Sequence, residues 1–442
     1  MKNVFLILIL LIPAILSAQD IRQLDIRLTN DSAGFYEIVH EISNTNPQDA
    51  SGFVDRGIAN YHLGNFDQAF SDYNKAIELD PSYSDAYMER GIYYLEVKKD
   101  SMLSISDYNK AIELNPQNAA AYYNRGVFYG EYAQYDLAIA EYRKAVEIKS
   151  DDAGAYYNLG TDYLTTGMYS ESAASLTQAI NLQPEFFSAY INRALSYLYM
   201  NELASALKDA DKAVSLRPQD PEAYSTRSSV YNYLGKYDKS MADLNQALKI
   251  APDNPKYYYN RAILSRNLGH STEAMLDLKT TLKVDPKFIP GYIQKAKWEV
   301  QDGNKVDANC DLDIAISYAK DNPSLHECYC GKAMILAQMK RYNEAVEQAD
   351  KAIKLRYNEP EAYYYRSKVY QYKGDYSKAI ADETKAIEMM PENADYYEYR
   401  GQLFFDNGQY GNAIRDWNET KRLDPERSDR MNYNIRLAEE NK

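Results

Sequence analysis

Histidine and cysteine are scarce in this chain of 442 residues. The four histidines, His40, His62, His270 and His326, share no spacing, and the three cysteines, Cys310, Cys328 and Cys330, crowd one stretch. Residues so placed assemble no zinc set, acid–base pair or nucleophilic triad, so the chain reads as non-enzymatic, with no metal and no cofactor. The glycines form no run of the kind that cradles phosphate. On a helix, Cys328 and Cys330 point about 200° apart and cannot chelate together. A disulfide from either to Cys310 is one reading, and small buried thiols are the simpler one.

Long apolar runs are lacking too. Val4–Leu16 is a run of thirteen, preceded by Lys2 and followed by Ser17-Ala18. Thirteen residues fall short of the roughly 18 that cross a membrane. A basic start, a short apolar segment and a small residue at its end predict a signal peptide over residues 1–18, cut after Ala18. No cysteine follows the run, which excludes a lipid anchor there. The mature chain is then exported, periplasmic or secreted, with no integral membrane span. Positive charge is also in deficit, with 50 basic against 64 acidic residues and a net charge of −14. An acidic surface repels phosphate backbones, which argues against nucleic acid as a ligand.

Tyrosine is abundant, at 44 residues, and it is periodic. Phe53 opens a series continued by Tyr87, Tyr122, Tyr156, Tyr190, Tyr224, Tyr258, Tyr292, Tyr329, Tyr363 and Tyr397. Most steps are 34 residues, with exceptions of 35 at Tyr87 to Tyr122 and 37 at Tyr292 to Tyr329. Four residues after each aromatic stands a small residue, from Gly57 and Gly91 to Ser367 and Gly401. Others fall near offsets 16 and 23, such as Ala69 and Ala76, and a proline closes most repeats, from Pro81 to Pro425. Small residues let two helices approach, and the recurring aromatic is expected to fill the gap beside them. Turns such as Leu63-Gly64-Asn65 and Leu234-Gly235-Lys236 end the first helix of a repeat.

Ala121-Tyr-Tyr-Asn-Arg-Gly126, then Tyr135-Asp-Leu-Ala138, then Lys144-Ala145 resemble the tetratricopeptide repeat, and the resemblance runs over residues 50–425. It implies an all-α, right-handed superhelical solenoid of about eleven antiparallel helix pairs, with a concave groove that binds a protein or peptide. Residues 19–49 read as a helical lead-in. Residues 426–442 read as a capping helix, with Met431, Ile435 and Ala438 on its apolar face and Asp429, Asn432, Arg436 and Glu440 on the other.

Three residues after the aromatic stands a base, and 19 or 20 after it an acid. Arg56/Asp72, Arg90/Asp107, Arg125/Glu141, Arg193/Asp209, Arg227/Asp243, Arg261/Asp277, Lys295/Asp311, Arg366/Asp382 and Arg400/Asp416 follow this rule. The fourth repeat loses both partners together, as Leu159 and Ser175, which predicts direct contact between paired helices.

In the family the groove is lined by first helices. Offset one then supplies Tyr123, Tyr157, Tyr259 and Tyr364, with Val54, Met88 and Ile191; offset two supplies Asn124, Asn158, Asn192 and Asn260. Offset five supplies Ile58, Ile92, Val127, Leu195, Ile263 and Met334, and offset nine Tyr199, Tyr233 and Tyr372. The asparagines are expected to bond an extended peptide. Family members that grip a carboxylate carry Lys at offset one and Asn at offset five. No repeat here has either, and acids such as Asp85, Glu222, Glu361 and Asp395 precede the aromatic by two, so no carboxylate clamp is expected. A self-associating structural component of an envelope or secretion assembly is the alternative.

Overall fold

Where a chain must repeat one packing solution many times, each repeat has to start and stop its helices by local signals. The computed structural model describes residues 32–319, 324–356 and 359–442, and the expected signal peptide lies outside them. The described residues form 24 α-helices and no strand. A lead-in helix, Ser32–Ser43, precedes eleven helix pairs that run from Ala50–His62 with Phe66–Leu79 to Ala394–Asp406 with Tyr410–Leu423, and a last helix spans Ser428–Glu440. We number the pairs as repeats 1 to 11. The chain divides after Asp243 into two compact bodies, residues 1–243 and 244–442, and the division falls within the second helix of repeat 6, Tyr237–Ile250. Each body is an all-α stack of antiparallel helix pairs.

Six of the eleven first helices begin at an Asp or Asn whose side chain satisfies an otherwise orphaned amide. Asp49 accepts from the Gly52 amide at 2.8 Å, Asp152 from Ala155 at 3.0 Å, and Asn118 from Ala121 at 3.1 Å. First helices end in a left-handed residue that turns the chain into the second helix. Gly64 has φ +78° and Gly235 φ +68°, and the Asn65 amide donates back to the Asn60 carbonyl at 2.8 Å. The same turn is made without glycine at Ala133, Asn201 and Lys340.

The gap between paired helices is filled differently from the sequence expectation. A Cβ built on Gly57 would stand 2.5 Å from the Tyr73 ring, one on Gly126 would stand 2.7 Å from Tyr142, and one on Gly401 would stand 2.6 Å from Trp417. The filler is thus the second-helix residue 20 positions after the recurring aromatic, opposite glycine where it is a large ring. Where it shrinks to Leu278, Ala210 or Ala349, alanine replaces the glycine, as Ala262, Ala194 and Ala333, and volume is exchanged across the pair, although Leu176 still faces Gly160.

The recurring aromatic has another task. The Arg guanidinium three residues on stacks over its ring, at 5.1 Å for Arg56 over Phe53 and 5.6 Å for Arg193 over Tyr190. Its hydroxyl donates to the carbonyl of the proline closing the preceding repeat, as in Tyr190 to Pro184 at 3.2 Å and Tyr224 to Pro218 at 3.1 Å. It is therefore a seam residue.

The arginines hold paired helices and neighbouring repeats at once. In repeat 5 (Phe187–Tyr199 with Leu203–Leu216) Arg193 Nε and Nη2 donate to both Asp209 oxygens at 2.7 and 2.8 Å, while Nη1 donates to Thr177 of repeat 4 at 2.9 Å. Arg56, Arg90, Arg125, Arg227, Arg261, Arg366 and Arg400 grip Asp72, Asp107, Glu141, Asp243, Asp277, Asp382 and Asp416 in the same two-pronged way. Lys295 reaches Asp311 with a single point charge. Outside the first repeat, Nη1 finds its acceptor on the preceding second helix: Asn74, Asn109, Thr177, Asp211, Asn245, Asp350 and Thr384. At the seam between repeats 3 and 4 that position holds Arg143, and the arginine facing it has become Leu159. Lys332, whose own repeat offers only Gln348, turns back to Asp313 instead.

Two irregular steps have local causes. The 35-residue step accommodates a π-helical turn, Tyr94–Lys98, at the end of a first helix. At the 37-residue step, six residues, 319–324, join Tyr318 to Leu325, where four suffice elsewhere. Near it, Cys328 and Cys330 are buried free thiols, and burial raises the Cys328 pKa to about 12. Cys310 is exposed, contrary to the expectation of three buried thiols.

Candidate functional site

First helices must both stack on their neighbours and leave something free for a ligand, and the structure divides the expected groove residues accordingly. Ile58 is 3% exposed and belongs to the core, as do Val54, Met88 and Ile191, so these four correct the expectation of a lining role. The side chain at offset five points between helices wherever neighbours close over it. Ile92, Val127, Leu195 and Ile263 are half-buried, each against the core cluster of its own part of the stack.

The tyrosines and asparagines join across seams. Asn158 donates to the Tyr123 hydroxyl at 3.0 Å, and Asn192 donates to Thr161 at 3.0 Å and to the Tyr157 hydroxyl at 3.4 Å. Those amide donors serve repeat stacking, a correction to their expected role on a peptide backbone. Asn124 and Asn260 are half-buried. Tyr157 packs on Phe186 and Tyr259 on Phe288, with ring centroids 4.8 and 5.5 Å apart. Tyr199, Tyr233 and Tyr372 remain exposed, Tyr199 stacked on Tyr169 at 4.9 Å.

In residues 244–442 the first helices of repeats 10 and 11 (Pro360–Lys373 and Ala394–Asp406) meet the last helix around a cavity of about 880 Å³. Tyr364, Tyr396 and Tyr399 form its aromatic wall, with Tyr364 5.7 Å from Tyr396 and 5.3 Å from Tyr399 between ring centroids. Its acids are Glu359, Glu361, Asp395 and Glu398, and its bases are Arg427 and Arg430 from the terminal segment. Arg427 bonds Asp395 and, at 3.1 Å, Glu398; Arg430 reaches the same Glu398 oxygen at 2.6 Å. Glu359 is held by Arg356 at 3.1 Å. Glu361 is exposed and meets no cation among the described residues. Trp417 seals the floor against Met431 and Ala438 of the last helix.

Of the expected groove residues, this cavity gathers Tyr364 alone. Glu361 and Asp395 were visible as acids two before the aromatic. Glu398 and Tyr399 stand at offsets one and two of repeat 11, groove positions by spacing although their residue types differ from the other repeats. Tyr396 precedes the aromatic and Arg427 and Arg430 follow the array, so spacing could not bring those three there. Behind the wall lies Glu383, fully buried, with neither carboxylate oxygen hydrogen-bonded. It occupies the gap-filling position of repeat 10, and burial raises its pKa to about 8. The nearby Ser367 hydroxyl is engaged with the Ala379 carbonyl at 2.8 Å.

A smaller cavity of about 410 Å³ opens in residues 1–243 beside Arg143, Tyr156, Leu159, Tyr163 and Ser175, where the arginine–acid pair is missing. Among the described residues no group of three or more His, Cys, Asp or Glu is placed to hold a metal, and no helix is long and apolar enough to cross a membrane.

Comparison with known proteins accords with this architecture. A family profile described as "TPR repeat" matches residues 103–131, 134–167 and 229–269. Profiles described as "Tetratricopeptide repeat" match residues 50–83, 157–221, 326–359 and 366–427. A curated relative, the "Protein SGT1 homolog" of Oryza sativa subsp. japonica, is 42% identical over 55 residues, 12% of this chain and 15% of its own length. Among solved structures, a tetratricopeptide repeat protein from Parabacteroides merdae matches 56% of this chain and 97% of its own, at 20% identity and a TM-score of 0.51. Yeast Tom70 matches 88% of this chain and 95% of its own, at 17% identity and a TM-score of 0.48. With matches over well more than half of its length and helix pairs throughout, the chain belongs to the tetratricopeptide repeat family.

Proposed function

We propose that this protein is an exported, non-enzymatic scaffold that binds a protein or peptide partner against the first helices of its repeats. The observation that carries the reading is the 880 Å³ cavity: it is walled by first-helix tyrosines and left open after stacking has consumed their neighbours. Rigid amphipathic rings beside polar groups suit a protein contact. Export rests on Lys2, the apolar run Val4–Leu16 and Ala18. The acidic balance supports a protein partner over nucleic acid.

Tyr259 is half-buried against Phe288, so a probe belongs at Gln402, which lines the cavity. A photoreactive residue there, activated in the native host, should yield a crosslinked peptide from another protein by mass spectrometry. Peptides of this chain alone would replace the scaffold with a self-assembling component. Absence of any crosslink would sink the binding reading.

A further inference from the structure

We infer that the cavity beside repeats 10 and 11 receives one cationic side chain, arginine or lysine, from a partner segment. The inference rests on the binding reading above and names the chemistry of its ligand. Around the cavity the charges nearly cancel. Asp395, Glu398 and Asp424 face Arg427 and Arg430, Glu359 faces Arg356, and Lys368 rides on the Tyr364 and Tyr399 rings, so five carboxylates meet four cations and Glu361 stands without a partner at the rim. One uncompensated carboxylate beside tyrosine faces is a site for one cation, since the ring quadrupole and the carboxylate attract the same sign.

The protein's own cations show that these surfaces hold such groups. Lys368 places its ammonium 4.3 Å from the Tyr364 ring centroid and 5.6 Å from that of Tyr399, while Arg427 nests among Asp395, Glu398 and Asp424. The polarity is opposite to that of a carboxylate-gripping groove, with acids at the positions two before the aromatic in both repeats.

Full-length protein tests the inference by fluorescence anisotropy with three labelled peptides, identical except for a central arginine, citrulline or glutamate. Citrulline keeps the shape and hydrogen-bonding of arginine without its charge. The arginine peptide should bind about five- to tenfold more tightly than the citrulline one, with the glutamate peptide weakest, and added salt should narrow the gap. Glu361→Gln should erase most of that difference at an unchanged melting temperature, because Glu361 is exposed and unpaired. Equal binding of the arginine and citrulline peptides, indifference to Glu361→Gln, or no binding of the arginine peptide would each overturn it. A partner crosslinked at Gln402 by a segment lacking Arg and Lys would remove this inference and leave the scaffold reading standing. Arginine selectivity with no crosslinked partner would do the reverse.

Discussion

Repeats 4 and 5 are neighbours built on one plan, and they differ where the plan is most charged. Repeat 5 clamps its helices with Arg193 on Asp209, whose side chain is 4% exposed, and ties itself to repeat 4 through Thr177. Repeat 4 (Ala153–Thr165 with Tyr169–Leu182) has Leu159 and Ser175 at the clamp positions, faces Arg143 across the preceding seam, and borders the smaller cavity. The three changes make one physical unit. An arginine without its buried acid, or an acid without its arginine, costs more than losing both. A cation at the seam acceptor position leaves an opposing arginine's third donor unmatched, whereas Lys279 is tolerated opposite Lys295, whose single ammonium is spent on Asp311 and Glu299.

The largest expected effect comes from splitting the clamp in repeat 5. Arg193→Ala strands Asp209 and should cost about 3–5 kcal/mol in denaturant unfolding. Arg193→Leu with Asp209→Ser, which copies repeat 4, should cost far less than the single change. If the double variant is as damaged as the single one, the pair is not a unit.

A second break in the plan lies in the other body, where Glu383 stands at the position Leu278 fills in repeat 7. Its pKa, raised to about 8, lies above the ordinary carboxylate value, so the unfolded chain releases a proton that the folded one keeps. The part of the stability that depends on Glu383 is therefore fully present below its ordinary value of 4.5 and is lost as pH rises towards 8. Glu383→Leu should flatten that decline and add about 1–3 kcal/mol near pH 8, read from thermal unfolding across pH. Lys368 and Arg400 act on the same carboxyl and lower its pKa, so removing Lys368 should steepen the decline.

Restoring the plan in repeat 4 should have a smaller effect. Leu159→Arg with Ser175→Asp should add about 1 kcal/mol only when Arg143→Thr supplies the seam acceptor, and should add nothing while Arg143 faces the new arginine. Equal gains with and without Arg143 would refute the seam coupling. The least effect is expected at Ala133, left-handed at φ +55° where Gly64 and Gly235 serve elsewhere. Ala133→Gly should stabilise by about 0.5–1 kcal/mol, the relief of strain exceeding the entropy of an added glycine.

Much of this was legible in the residues because a solenoid repeats local solutions. The helix pair, its left-handed turn and its clamp each involve residues at fixed offsets within one repeat, so nine copies of the base–acid pair make Arg193 and Asp209 recognisable as partners from spacing alone. Contacts between repeats were harder to read. Thr177, Asn74 and Asp211 differ in chemistry and share only the ability to accept a hydrogen bond, so no single residue type marked the seam. The exchange of volume between Gly57 and Tyr73 leaves no periodic mark, because the filling position varies among residues such as Tyr73, Leu176, Ala210, Glu383 and Trp417.

By itself the sequence determined the fold class, the repeat count and the helix-to-helix ion pairs, since these follow from periodic short-range interactions. Tertiary structure alone decided which tyrosines stack and which face solvent, that Ile58 belongs to the core, and that Arg427 and Arg430 return to the acids of repeat 11. The physical reason is one of distance along the chain. Burial and charge balance at a cavity sum over helices from separate repeats and a terminal segment outside the period, and only folding brings those together.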